Sequence, residues 1–134
     1  MSSKQILMID DEADIQTVAS IGLTMVSDWQ VLTASSGREG LFQAEQHQPD
    51  AILLDVMMPD MDGVATLSAL RANAQTRDIP IVFLTAKAKA VDRERFYGLG
   101  AQGVINKPFD PMTLASQIAG FLNWDFGYAQ SPGP

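Results

Sequence analysis

A chain of 134 residues with 46% hydrophobic content and no cysteine is sized for one globular domain with its own core, and it excludes disulfides, thiolate metal sites and cysteine nucleophiles. Its formal net charge of -7 disfavours phosphate backbones and anionic membrane surfaces, so direct nucleic-acid binding is not expected. No apolar run approaches the length of a membrane span, and the opening "MSSKQILMIDDE" turns acidic before a signal-peptide core can form, which predicts a cytoplasmic protein.

The first apolar run, "QILMI" (5 to 9), predicts a strand and leads directly into Asp10, Asp11 and Glu12. Ile15, Val18, Ala19, Gly22, Met25 and Val26 then fall at helical spacing and predict a helix that buries this face. "QVLTA" (30 to 34) is the second strand. "SGRE" (36 to 39) reads as a capping box, with the Ser36 oxygen and the Glu39 carboxylate each satisfying a free N–H at a helix start. His47, the sole histidine, lies in the polar stretch "EQHQPD" and reads as a surface loop residue rather than a phosphorelay group.

"AILLD" (51 to 55) is uninterrupted by polar residues until it ends on Asp55, and it breaks at once into a loop containing Met57, Met58, Pro59 and Gly63. A carboxylate at the rim of an apolar sheet requires a metal or cation partner, or a reaction to perform. Met57, Met58 and Met61 are expected to fill gaps under that loop. "IVFLT" (81 to 85) is a fourth strand ending on Thr85. In the next helix Asp92, Phe96 and Leu99 form a stripe expected to face inward, with Arg93 and Tyr97 on the neighbouring outer stripe. "GVIN" (103 to 106) is a fifth strand running into Lys107 and Pro108. Asp110 and Pro111 read as the N-cap and first turn of a last helix carrying Leu114, Ile118, Phe121 and Leu122. Residues 1–123 form the expected domain and 124–134 a flexible tail, in which Trp124, Phe126 and Tyr128 are assigned to docking on the body and "AQSPGP" to disorder.

Five apolar runs alternating with helical segments indicate an α/β fold with a parallel sheet covered on both faces. In such open sheets the ligand site lies outside the carboxyl ends of the strands. Asp10, Asp11, Asp55, Thr85 and Lys107 all fall there. Clustered carboxylates raise one another's pKa unless a cation neutralises them, and an all-oxygen set suits Mg²⁺. A carboxylate beside such a cation, with an ammonium opposite, can attack a phosphoryl group.

At these residues the chain resembles the receiver domain of two-component response regulators. The acid pair after the first strand, "LLDVMMPDMDG", "FLTA" and "KPF" carry the resemblance, in order and on matching elements, over roughly residues 4 to 123. It implies a five-stranded, doubly wound, flavodoxin-like fold of strand order 2-1-3-4-5 with five helices. It further implies that Asp55 is the phosphoacceptor and that Asp10, Asp11 and Asp55, with the backbone carbonyl of Met57, hold Mg²⁺. Thr85 would be the switch hydroxyl and Lys107 the phosphate-contacting lysine, with the Lys107–Pro108 bond cis. Val104 stands where the family usually has an aromatic, so Tyr97 and Arg93 are the candidates for the output contact.

The implied partners are a sensor histidine kinase or histidine phosphotransfer protein and a downstream protein target, with phospho-dependent homodimerisation as a further outcome. The implied activity is a signalling switch that catalyses only its own phosphorylation and dephosphorylation. A haloacid-dehalogenase-type phosphatase also uses an aspartate nucleophile and Mg²⁺, but it needs a second acid two residues on, where this chain has Met57. A constitutive scaffold would have lost the acids or the lysine, and all are present.

Overall fold

The computed structural model describes residues 3–86 and 89–125. Its elements run β1 (Gln5–Ile9), α1 (Ala13–Val26), β2 (Gln30–Ala34), α2 (Gly37–His47), β3 (Ala51–Asp55), α3 (Gly63–Ala72), β4 (Ile81–Thr85), α4 (Ala90–Gly98), β5 (Gly103–Asn106) and α5 (Leu114–Leu122). The five strands form one parallel sheet in the order β2-β1-β3-β4-β5. The strand positions and their order agree with the sequence reading.

Alternation of side chains along each strand divides the core into two layers. Leu7, Ile9, Ile52, Leu54, Ile81 and Phe83 point toward α2, α3 and α4, where they meet Ala44, Leu67 and Phe96. Ile6, Met8, Leu53, Val82, Leu84 and Ile105 point the other way, toward Leu23 of α1 and Leu114 and Ile118 of α5. Strands buried on both faces need apolar residues at every position, which is why β3 and β4 read as unbroken runs. Among the described residues no helix is long and apolar enough to cross a membrane.

Several helix boundaries and faces differ from the sequence reading. In α1 the buried residues are Ala19, Gly22 and Leu23, while Val18 and Met25 are exposed, Met25 by 78%. The inner face is the one that lets the helix approach the turn before α5, since a Cβ on Gly22 would sit 2.3 Å from the Pro111 carbonyl oxygen. Helix α5 begins at Leu114 rather than just after Asp110. Asp110 caps a preceding turn instead, its Oδ1 accepting from the Met112 N–H at 2.9 Å. At α2, Ser36 Oγ accepts from the Glu39 N–H at 3.1 Å as a capping box requires, but Glu39 Oε1 reaches one residue further back, to the Ser35 N–H at 2.8 Å.

The two stripes of α4 also resolve differently. Phe96 is buried against Phe83, with ring centroids 5.0 Å apart, but Leu99 is exposed because it is already the C-cap, beyond the last helical residue, beside Gly100 at φ 109°. Tyr97 faces outward as expected, whereas Arg93 folds back onto β5. Of the three methionines assigned to the space under the β3–α3 loop, Met58 is buried and Met57 is exposed. The backbone N–H of Met57 turns to the Asp55 carboxylate, which leaves its side chain outside. Trp124 docks edge-on against Trp29 at 5.6 Å between centroids, with Lys4 Nζ 4.6 Å from its ring. Phe126, Tyr128 and the rest of the tail lie outside the described residues.

Two glycines on α1 and α5 give a direct check of this packing. Gly120 lies inside α5 with open space where a Cβ would go. Gly120→Ala is expected to stabilise by about 0.5 to 1 kcal/mol in urea denaturation, through helix propensity and reduced unfolded-state freedom. Gly22→Ala should cost about 1 to 3 kcal/mol, because the new methyl meets backbone that cannot rotate away. Equal effects from both substitutions would contradict the close contact between α1 and the turn before α5.

Candidate functional site

The ladder between β1 and β3 pairs Ile9 with Leu54. The next residue on each strand is an aspartate, so Asp10 and Asp55 emerge side by side at the sheet's carboxyl edge. Both are buried, at 0% and 2% exposure, whereas Asp11 is exposed. One carboxylate oxygen from each of Asp10, Asp11 and Asp55 can be chosen so that all three lie within 4.8 Å of one another.

A single cation holds this arrangement together. Lys107 Nζ lies 3.2 Å from Asp10 Oδ2, 3.2 Å from Glu12 Oε1 and 3.2 Å from Asp55 Oδ1. Backbone donors satisfy part of the remaining demand, Glu12 N–H to Asp10 Oδ1 at 2.8 Å and Met57 N–H to Asp55 Oδ1 at 3.3 Å. Asp55 Oδ2 is buried without a hydrogen-bond donor among the described residues, and Asp10 Oδ2 has only its ionic contact with Lys107. Buried acceptors in that condition are costly. The edge therefore has spare oxygen ligands directed at one point, which is the donor chemistry of a hard divalent cation.

The surrounding loops are fitted to this edge. Gly63 brings the β3–α3 loop back under the aspartate, donating its N–H to the Val56 carbonyl at 2.9 Å, and a Cβ there would meet the Asp55 carbonyl oxygen at 2.4 Å. Asp62 then caps α3 by accepting from the Ala65 N–H at 2.8 Å, worth about 1 kcal/mol. Thr85 is fully buried at the end of β4, opposite Asn106, and its carbonyl accepts from the Lys107 N–H at 2.9 Å. The Lys107–Pro108 bond is cis.

Burial raises the Asp55 pKa, and the neighbouring Asp10 charge raises it further; together they outweigh Lys107 and place it at about 6. Burial likewise raises Asp10, against the Glu12 N–H and Lys107. For Lys107 burial acts downward, but the charges of Asp10 and Asp55 prevail and hold its ammonium above the ordinary lysine value.

The sequence reading placed Asp10, Asp11, Asp55, Thr85 and Lys107 at one edge, and the structure brings them there. Tyr97 and Val104 lie apart from the cluster, Tyr97 exposed on α4 and Val104 buried in the layer containing Phe96. His47 is exposed as read, but it is the last residue of α2 and not part of a loop, because the helix ends only at its left-handed cap, Gln48. Three residues were overlooked. Glu12 was grouped with the acid run but not recognised as a third partner of Lys107. Gln16 Nε2 reaches the carbonyls of Asp10 at 2.7 Å and Ala34 at 3.2 Å and the Ser35 hydroxyl at 3.2 Å, tying α1 to the ends of β1 and β2. Asn106 links Arg93 to the strand end. Only the run of three acids carried a sequence signal for any of them.

A family model for the response regulator receiver domain matches residues 6–119. The alkaline phosphatase synthesis transcriptional regulatory protein PhoP of Bacillus subtilis is 39% identical over 120 residues, 90% of this chain and 49% of that protein. The probable transcriptional regulator ycf27 of Guillardia theta is 36% identical over 121 residues, 90% of this chain and 46% of that protein. The chain spans about half the length of the curated relatives it matches. Among solved structures, the chemotaxis protein CheY4 of Vibrio cholerae aligns with a TM-score of 0.82 at 32% identity, covering 90% of this chain and 99% of that one.

The raised Asp55 pKa fixes the sign of a pH dependence. An acid with a folded pKa of about 6, against 3.8 for an ordinary aspartate, favours folding while protonated. That contribution is complete below the lower value and is lost as pH rises through the upper one. Metal-free protein should therefore lose on the order of 2 to 3 kcal/mol between pH 4 and pH 7, and Asp55→Asn should flatten the curve. Denaturation midpoints that rise across this window would show that Lys107, not burial, dominates the site.

Proposed function

Because the chain belongs to the response regulator receiver domain family, we propose that it is a phosphorylation-driven switch taking a phosphoryl group on Asp55 from a histidine kinase or histidine phosphotransfer protein. The observation that carries this reading is the placement of Asp55, a buried strand-end carboxylate in contact with Lys107 and flanked by Asp10 and Asp11. It is supported by the match to the receiver model over most of the chain.

The oxygen donor set, with its two under-satisfied buried carboxylates, fits Mg²⁺. Asp10, Asp11, Asp55 and the Met57 carbonyl would hold it, and when bound it supplies positive charge against the phosphoryl oxygens. In the transfer itself an Asp55 carboxylate oxygen attacks phosphorus. The phosphorus–nitrogen bond of the donor phosphohistidine breaks, and its electron pair stays on the imidazole nitrogen, which takes up a proton. The product is an aspartyl phosphate. Lys107, already 3.2 Å from Asp55 Oδ1, is placed to follow the charge onto the phosphoryl oxygens. Thr85, buried at the neighbouring strand end, is the hydroxyl suited to donate to them. The modification is the signal and is not a turned-over product, so output passes to a downstream protein or a second phosphorylated copy by binding. The exposed acids Asp11 and Glu12 and the overall charge favour protein over nucleic acid as the direct partner.

Incubation with a small phosphodonor and Mg²⁺ should give one phosphoryl adduct by intact mass, absent in Asp55→Asn. An adduct of equal yield in that variant, or one mapped to Asp10 or Asp11, would overturn the assignment. Asp11→Ala should weaken Mg²⁺ binding by at least about tenfold in calorimetric titration, or about 1.4 kcal/mol, while leaving the fold intact. Unchanged affinity would remove Asp11 from the ligand set.

Lifetime provides a second measurement. The exposed Met57 side chain, two residues past Asp55, is proposed to hinder the water that hydrolyses the aspartyl phosphate. Met57→Asn should then shorten the phosphorylated state by up to about tenfold, a barrier change near 1.4 kcal/mol. Equal decay rates in the two proteins would exclude this role.

A further inference from the structure

The guanidinium of Arg93 does not project from the surface with Tyr97. Its Nη1 donates to the Val104 carbonyl at 3.2 Å and its Nη2 to Asn106 Oδ1 at 3.0 Å. Both acceptors lie on β5, and Asn106 is the residue immediately before Lys107.

That attachment matters because of where Lys107 begins and where its ammonium must arrive. β5 is a four-residue strand at the edge of the sheet, laddered only to β4. From there the lysine serves Asp55 on β3 and Asp10 after β1, two and three positions across the sheet. Neighbouring strands are separated by about 4.8 Å, so the lateral offsets are about 10 and 14 Å. Spanning such offsets leaves the four-carbon stem little slack, so drift of the strand end is passed on to the ammonium. On the sheet side the end is held by the Lys107 N–H bond to the Thr85 carbonyl. On the helix side it is held by Arg93, whose planar fork spans a backbone and a side-chain acceptor at once.

We propose that Arg93 is a positioning residue for Lys107, acting through Asn106 to fix the end of β5 so that the ammonium meets Asp10, Glu12 and Asp55 together. Its effect on phosphorylation rests on the reading of Asp55 as phosphoacceptor; its effect on the resting ammonium does not. Docking of α4 has a separate anchor in Phe96, so the helix does not depend on Arg93 alone.

The test uses Arg93→Ala, Asn106→Ala, the double variant and Arg93→Lys in the full chain. The side-chain ammonium resonance of Lys107 in metal-free protein should shift and lose exchange protection in Arg93→Ala and Asn106→Ala. Adduct formation on Asp55 from a small phosphodonor should slow by about three- to tenfold in each, the scale expected for a displaced charge-stabilising group. The double variant should be no slower than Arg93→Ala, since both substitutions cut one connection. Arg93→Lys keeps the charge without the fork and should recover only part of the rate. Mg²⁺ affinity should stay within about twofold, because the acids are held by β1 and β3; a larger loss would mean that the whole edge has collapsed and would overturn the proposal. A Lys107 resonance unchanged in Arg93→Ala, or additive effects of the two substitutions, would overturn it as well. If the wild-type chain takes no phosphoryl group, the proposed function fails, and the Lys107 resonance still decides the role of Arg93.

Discussion

The contact of one ammonium with three carboxylates is the constraint around which the carboxyl edge of the sheet is built. Two of the acids, Asp10 and Asp55, are almost completely removed from water, and their chain positions make them neighbours on adjacent central strands. Without Lys107 they would be a like-charged pair in a poorly polarisable surrounding, which drives proton uptake rather than ionisation. With it, at 3.2 Å from each, charge is shared but not balanced. Asp55 still lies well above the ordinary carboxylate range, at about 6. The remaining deficit of positive charge is a property of the protein itself, and it explains why a second cation fits there.

The sheet meets this constraint by separating stability from chemistry along its length. Apart from Gln5 at the start of β1, apolar residues fill β1, β3 and β4 on both faces until each strand leaves the sheet. The turns after β1 and β3 then have local work to do. The chain after β1 sends the Glu12 N–H to Asp10, the chain after β3 sends the Met57 N–H to Asp55, and Gly63 allows the return into α3 where any side chain would strike the Asp55 carbonyl. Rigid strands define where the carboxylates start, and these short loops define where they point.

Much of this was legible because it violates an ordinary pattern. A five-residue buried strand that ends on aspartate after four apolar residues conflicts with the tendency of buried strands to exclude charge, and the conflict marks Asp55 without reference to any other chain. Strand positions followed from the same unbroken runs. Helix faces were harder. In α1 the apolar residues Val18 and Met25 share helical spacing with the buried ones, so periodicity showed a stripe but not its edge, and the close approach of Gly22 to Pro111 decided which side turned inward. Asp110 and Pro111 carry the residue types of a helix start, yet the same chemistry closes a single turn, and the helix waits until Leu114.

What escaped the sequence reading has a common physical cause. Gln16, Asn106 and the inward contacts of Arg93, which was read only as an outward-facing residue, belong to half-exposed or exposed polar positions, where composition gives no sign that a particular acceptor is waiting. Their targets are largely backbone carbonyls, those of Asp10, Ala34 and Val104, and a carbonyl is present at every residue. At Val104 the carbonyl as well as the side chain joins α4 to β5. The groups that are costly to bury are visible because the cost must be concentrated in unusual residues at defined places. The groups that hold them in position cost little, look like ordinary surface chemistry, and become visible only when the distances are known.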